Sequence, residues 1–420
     1  MSRSGRRRPT PRRSGASFGE RACSSRRSTD RTRRPAVTTA DVLVIGGGVI
    51  GASVAYHLLE GDPRLHVVLL ERETQVGMGA TSKATGGVRH QFSTEANIRL
   101  TLLSYPYFAH ARERLGRSVD FIAHGYLFVT GSPEVLAASA RSVERQRSLG
   151  VRSRLLAPAE MAPLLPALVT DDLVGGSFCP DDGSADPHGL LQAFLGIARG
   201  RGLDVRTAEP VVGVERVAER VVGVRSTRDA YSAPVVVDCA GPHADAVGAL
   251  AGVEIPSKPF RRQVLVTAPL PDFPRMFPLI VDLDTGFYVH RQGAAAVLMG
   301  GTDKDRAPGH DTTIDWDAFE LVFQAAARRV PPLAEARVVR AYAGVRDLTP
   351  DYHGILGAAP GAPGFYVACG FSGHGFMHAP AIGLLMAELI LDGRARSMDV
   401  AALSLARFAA GRVAREANMF

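Results

Sequence analysis

Asp41-Val-Leu-Val-Ile45-Gly46-Gly47-Gly48-Val49-Ile50-Gly51 is the stretch on which the fold of this chain turns. Its first five residues form a short β-branched run, which reads as a strand buried in a parallel sheet. Gly46-x-Gly48-x-x-Gly51 then opens a helical pattern through Glu60, and Gly61-Asp62-Pro63 is a turn. His66-Val-Val-Leu-Leu70 reads as a second strand, so about thirty residues make one βαβ unit. Small residues in the turn let the backbone approach a pyrophosphate, whose charge sits at the helix N-terminus. Glu71 ends the second strand, where a carboxylate accepts hydrogen bonds from ribose hydroxyls and disfavours a 2′-phosphate. The glycine motif alone is weak evidence; strand before, helix after and acid beyond give it a dinucleotide context without NADP. The competing reading is a glycine-rich turn in an unrelated α/β protein.

Working outward, a second turn of the same kind stands near the other end. Phe365-Tyr-Val-Ala-Cys-Gly370-Phe-Ser-Gly373-His374-Gly375-Phe376 reads as strand and Gly-rich turn, before a helix over Ala379–Leu391. A helix N-terminus flanked by small residues can aim backbone amides at an electron-rich group. Two such turns far apart suggest one extended cofactor held by both ends of the chain, which suits FAD better than NAD. Between them, Gly125–Val129, Val235–Asp238, Val264–Thr267, Phe287–His290 and Ala296–Met299 read as strands. Glu95 to about Leu115, Pro133–Leu149, His188–Arg201 and Asp315–Arg329 read as helices, and Val205–Arg228 as a hairpin.

Composition narrows the class. The chain has 420 residues, 46% hydrophobic and 22% charged, which excludes a disordered, collagen-like or coiled-coil protein. The net charge of +7 hints at nucleic acid, but residues 1–34 hold twelve arginines against Glu20 and Asp30. The remaining body is therefore slightly acidic, and nucleic acid is not expected as a partner. The tail, residues 1–36, is read as a disordered, solvated, Arg-rich extension. A transit peptide would need an apolar helical face and a twin-arginine signal an apolar stretch, and neither is present. The cytoplasm is the expected location, with the mitochondrial matrix as the alternative if the tail is a transit peptide. Cys23, Cys179, Cys239 and Cys369 show no metal spacing and read as free thiols. The uncharged run Val42–Leu59 is long enough for a membrane helix, but its glycines favour strand, turn and helix.

Three stretches together carry a family resemblance: Asp41–Glu71, then Val237-Asp-Cys-Ala240-Gly241-Pro-His243, then Ala343-Gly344-Val-Arg346-Asp-Leu-Thr-Pro-Asp351 with Gly370–Phe376. The chain resembles the FAD-dependent amine and amino-acid oxidoreductases of the D-amino-acid oxidase superfamily, such as glycine oxidase, sarcosine oxidase and dimethylglycine dehydrogenase. The resemblance implies an α/β fold, with a Rossmann-type FAD-binding domain interleaved with an α+β substrate domain on an antiparallel or mixed sheet. The FAD domain is expected at 37–120, 175–255 and 343–412, and the substrate domain at 121–174 and 256–342. By resemblance, Gly46, Gly48, Val49, Ile50 and Gly51 hold the pyrophosphate, and Glu71 with Arg72 the adenosine ribose. Gly79-Ala80-Thr81-Ser82 lies near pyrophosphate and flavin, and Val211 or Val212 at the adenine. Ala240, Gly241, Gly344, Gly373, His374, Gly375 and Phe376 complete the cofactor set.

For catalysis the resemblance points to Arg346 as the carboxylate grip, Arg89 as a second one, Tyr288 lining the substrate pocket, and His374. A planar guanidinium holds a carboxylate with two hydrogen bonds. The competing readings are a structural ion pair for Arg346 and an ordinary strand aromatic for Tyr288. The chain also departs from the family. Gly344 stands where monomeric sarcosine oxidases carry the cysteine that tethers FAD, so the cofactor is expected to be non-covalent. Met377 stands where they carry a substrate-binding lysine, so one carboxylate contact is missing; Leu298 stands where they carry the oxygen-activating lysine, which points to a dehydrogenase rather than an oxidase. The expected reaction is oxidation of the C–N bond of a small amine or amino acid by hydride transfer to flavin, yielding an imine that hydrolyses. The electron acceptor is left open, and partner subunits are allowed for. Two rivals remain at this point, a non-catalytic FAD-containing assembly factor and an RNA-associated flavoenzyme.

Overall fold

The computed structural model describes residues 37–418 except 294, 302–306 and 412. The tail expected over 1–36 lies outside the described residues.

The βαβ unit read from the sequence nucleates a six-stranded sheet. Its order is Ile355–Ala358, Phe365–Cys369, Val235–Asp238, Val42–Ile45, Val67–Leu70 and Asp204–Arg206. All neighbours are parallel except the first pair. Ile45 is in register with Leu70 and with Asp238, so the central strands end together. Their carboxyl ends form one edge, where open α/β sheets hold ligands. The helices Val49–Gly61 and Gly375–Leu391 cover one face and bury Val44, Val54, Leu58, Ile382 and Leu385. They touch closely because Gly383 has no side chain: a Cβ there would lie 2.5 Å from the Ser53 carbonyl oxygen. Leu43, Val68, Val236 and Phe365 point to the opposite face. There they meet Val221, Val224 and Tyr231 of a small four-stranded sheet.

The second large sheet has eight strands and is mixed. In order they are Val338–Leu348, Lys258–Thr267, Ala296–Gly300, Tyr288–Gln292, Leu279–Asp282, Tyr126–Thr130, Gly175–Cys179 and Arg154–Leu156. Strand alternation divides its residues. Leu265, Val289 and Met299 pack with Phe319, Val322 and Ala326 of the helix Trp316–Arg329. Val264, Tyr288 and Leu298 form a separate cluster with Tyr126 and Phe128 on the other face. That second face looks toward the carboxyl edge of the first sheet.

Several sequence expectations change. The helix expected over Glu95–Leu115 is three helices, Glu95–Ser104, Pro106–Ala109 and Ala111–Leu115. Pro106 lacks an N–H and cannot continue the ladder. The helix expected from Ala379 begins at Gly375. Asp204–Arg206 leaves the expected hairpin and pairs in parallel with Val67–Leu70. Gly175–Cys179 and the whole of Val338–Leu348 hydrogen-bond within the eight-stranded sheet. Composition along the chain marks where a segment starts, whereas sheet membership is set by partners distant in sequence. Among the described residues, no helix is long and apolar enough to cross a membrane. The uncharged run Val42–Leu59 folds as strand, turn and helix, as its glycines require.

Candidate functional site

A cavity of about 850 Å³ runs between the two sheets. At one end the first glycine turn is shaped by backbone contact. Gly46 has φ +109°, and a Cβ there would lie 2.4 Å from the Cys239 carbonyl oxygen. A Cβ on Gly51 would lie 2.0 Å from the Gly46 carbonyl oxygen. No side chain fits either position, so the strand must turn into the helix within three residues. Glu71 locks this turn from the neighbouring strand. Its carboxylate accepts from Gly47 N at 2.7 Å and from Glu73 N at 2.8 Å. Burial pushes its pKa up, while these two N–H groups oppose that shift. Thr81 Oγ1 accepts from Val49 N at 3.0 Å and so caps the helix from the Gly79–Ser82 loop.

Gly46, Gly48, Val49, Ile50, Glu71, Arg72, Gly79, Ala80, Thr81, Val212, Ala240 and Gly241 all line this part of the cavity. Gly51 and Ser82 do not. Gly51 is covered by Gly46, and the Ser82 hydroxyl donates to the Met78 and Gly79 carbonyls. The sequence reading assigned no cavity role to His243 or His310, which stack at 4.3 Å beside Arg72. His310 sits in a loop with no motif, so no sequence signal marks it.

The other end is built from the second turn and the eight-stranded sheet. Gly344, Arg346, Gly373, His374, Gly375 and Phe376 line it with Tyr288 and Arg89. Arg346 lies against Gly373, which has φ +91° and no side chain to obstruct it. Arg89 is buried, with its guanidinium 3.8 Å from the centre of the Phe92 ring. One of its nitrogens is 3.3 Å from His374 Nε2. Burial drives the His374 pKa well below its ordinary value, and the nearby Arg89 lowers it further, so the imidazole is neutral. Tyr126, Arg262 and Lys83 also line this end and were missed by the sequence reading. Glycines mark both tyrosines: a Cβ on Gly87 would meet the Tyr126 hydroxyl, and one on Gly300 the Tyr288 hydroxyl. Burial raises the pKa of both phenols, so both are protonated donors. Leu298 is not among the lining residues; it packs beneath Tyr126, Val264 and Tyr288.

One further cluster has metal-type chemistry, His90, Cys179 and Asp182. Asp182 already accepts from His90 N, His90 Nδ1 and Gln91 Nε2. Burial holds the Cys179 thiol protonated. The cluster is a hydrogen-bonded knot beneath Arg89.

The cavity fits a long dinucleotide. It has a side-chain-free turn and a ribose-type carboxylate at one end, and cationic and phenolic groups at the other. Comparison with known proteins agrees with the geometry. The family described as FAD dependent oxidoreductase (DAO) matches residues 41–389. Human mitochondrial sarcosine dehydrogenase is 31% identical over 378 residues, covering 86% of this chain. The chain spans 40% of that enzyme's length. FAD-dependent oxidoreductase domain-containing protein 1 of Xenopus laevis is 30% identical, covering 88% of this chain and 82% of its own. The solved L-proline dehydrogenase of P. horikoshii superposes with a TM-score of 0.84 at 28% identity, covering 90% of this chain and all of its own. The chain belongs to the DAO family of FAD-dependent oxidoreductases, and FAD is its cofactor.

Proposed function

We propose that this chain oxidises the C–N bond of a small amino acid or N-alkyl amino acid, giving an imine that water then hydrolyses. The observation that carries the reading is the far end of the cavity, where Arg346, Arg89, Tyr288 and Tyr126 converge opposite the Glu71 end. Bound FAD supplies the two-electron acceptor. The protein's share is positioning. Arg346 grips the carboxylate through paired N–H donors, and Tyr288 donates its hydroxyl to the same group. Arg89 adds a second positive charge. The buried walls favour the neutral, reactive form of the amine, because burial disfavours its charged form. Neutral His374, at the start of the helix Gly375–Leu391, sets the positive helix end beside the developing negative charge without adding a proton donor of low pKa. Relatives named for sarcosine and for L-proline support a substrate whose amine and carboxylate share a carbon neighbour.

Two finer points belong to the same reading. FAD is held without a covalent bond: Gly344 offers no tether, and a Cβ there would meet the Lys83 side chain at 2.5 Å. Electrons leave to an acceptor other than oxygen: Leu298, which stands where the resemblance puts an oxygen-activating lysine, is apolar and packs outside the cavity. Anaerobic titration of the yellow protein with sarcosine, glycine, dimethylglycine, L-proline and D-amino acids tests the reading. One of them bleaches the oxidised-flavin band, and a quinone dye restores it faster than air does. A flavin reducible by dithionite but by none of these amines sinks the proposal.

A further inference from the structure

We infer that the segment Glu416–Asn418 is a positioning element for Arg89. The inference rests on the functional reading only in giving Arg89 a carboxylate to hold.

Glu416 is 1% exposed, a rare condition for a carboxylate unless it is fully paired. It accepts from Ser93 N at 2.7 Å, Ser93 Oγ at 2.6 Å, Thr94 N at 3.3 Å and Thr94 Oγ1 at 2.9 Å. It also accepts from Asn97 Nδ2 at 3.0 Å and Asn418 N at 3.0 Å. Its charge sits at the N-terminus of the helix Glu95–Ser104, where the macrodipole favours an anion. These bonds hold the Glu416 carboxyl below the ordinary carboxylate range, against its burial. Glu416 N donates to the Asp351 carbonyl, so the segment is fixed on its other side too.

What this anchor delivers lies two residues further on. The Asn418 carbonyl accepts from an Arg89 guanidinium nitrogen at 2.8 Å, and Asn418 Nδ2 donates to the Gln91 carbonyl at 3.2 Å. The Gln91 carbonyl itself accepts from the other terminal nitrogen of Arg89. Arg89 is thus held from behind by two backbone carbonyls, one of them on the anchored segment. Buried guanidinium groups cost free energy unless their N–H groups are satisfied. The two carbonyls meet that need for the two terminal nitrogens of Arg89. Glu416 favours the charged form of Arg89 through space and spends its hydrogen bonds on Ser93, Thr94, Asn97 and Asn418. The arrangement fixes the direction of Arg89, which lines the cavity.

The test uses the full chain loaded with FAD and reads acetate binding through the flavin absorbance, with no turnover. Wild type binds acetate. Glu416→Gln keeps the shape but removes the charge, and weakens acetate binding about tenfold. Arg89→Met weakens it by about as much or more, and the double variant is no weaker than Arg89→Met alone, the non-additivity expected of residues acting through one group. In Glu416→Gln the KM of a carboxylated amine rises in parallel with the loss of acetate binding, while kcat changes less than KM. Additive losses, unchanged acetate binding in Glu416→Gln, or a wild type indifferent to acetate each overturn the inference. Should Glu416→Gln fail to fold, Asn418→Ala applies the same cycle through the Gln91 link, with a loss of about threefold expected. A wild type that binds acetate in an Arg89- and Glu416-dependent way but is reduced by no amine sinks the functional reading alone. A chain reduced by amines yet unaffected at Glu416 sinks this inference alone.

Discussion

Arg346 lies against the α-carbon of Gly373: a Cβ added there would be 3.1 Å from Arg346 Cδ and Nε, and 3.2 Å from Cζ. The second glycine turn and the proposed carboxylate grip therefore occupy one another's space. Gly373→Ala must push the guanidinium aside and also strain a backbone at φ +91°. We expect KM for the amino acid to rise about tenfold or more, with FAD still bound. Steady-state kinetics and the flavin spectrum of the same preparation check this.

Replacing Arg346 separates charge from geometry. Arg346→Lys keeps a cation and loses the planar fork; Arg346→Met loses both. Hydrogen bonds to charged groups contribute about 1.5–3 kcal/mol, so Arg346→Met should raise KM by about ten- to a hundredfold, with Arg346→Lys between it and wild type. An unchanged KM in Arg346→Met would remove this residue from the substrate site.

At the opposite end, Glu71→Ala leaves Gly47 N and Glu73 N without their acceptor. An unsatisfied buried donor costs about 1–3 kcal/mol. FAD affinity, followed by recovery of flavin fluorescence on dilution, should fall by about tenfold or more. Amine KM measured at saturating FAD should move little.

Asp347 gives a pH dependence whose sign is fixed. Burial raises its carboxyl to about 6, although Gly370 N and other backbone N–H groups hold it down. The folded chain therefore keeps this proton at pH values where the unfolded chain has lost it. Stability from this group is fully present below the unfolded pKa near 3.8 and is lost as pH rises to about 6. Asp347→Asn lacks that loss, so its melting temperature relative to wild type should climb between about pH 4 and pH 6.5. A flat difference across that window would place the titration elsewhere.

Local sequence carried the βαβ unit, because each of its parts is a neighbour in the chain: strand, turn, helix and acid. The same holds for the second turn. Legibility fails where partners are remote. Tyr126 follows Gly125 in an ordinary strand pattern, and only the fold brings it beside Tyr288. Lys83 and Arg262 sit outside any motif, yet both line the cavity. Ala343–Asp351 is legible as a family motif, but the sequence does not show that Val338–Leu348 is a strand. It is stable as a strand because ten of its residues pair along Lys258–Thr267. Glu416, in a segment of no apparent pattern, is intelligible only from the six donors around it.

The strand Val338–Leu348 has a consequence for anyone wishing to recombine such enzymes. It runs the length of Lys258–Thr267 in one sheet, and its last residues grip the turn that leaves the other. Asp347 accepts from Gly370 N at 2.7 Å, and its carbonyl accepts from Ser372 N at 2.9 Å. A crossover placed at the expected boundary, residue 343, would divide a single hydrogen-bonded ladder between two parents. Chimeras should fail when cut within Val338–Leu348 or when that strand and Lys258–Thr267 come from different parents. In this lineage new substrates would then arise by side-chain replacement inside a fixed frame, more readily than by grafting a foreign module.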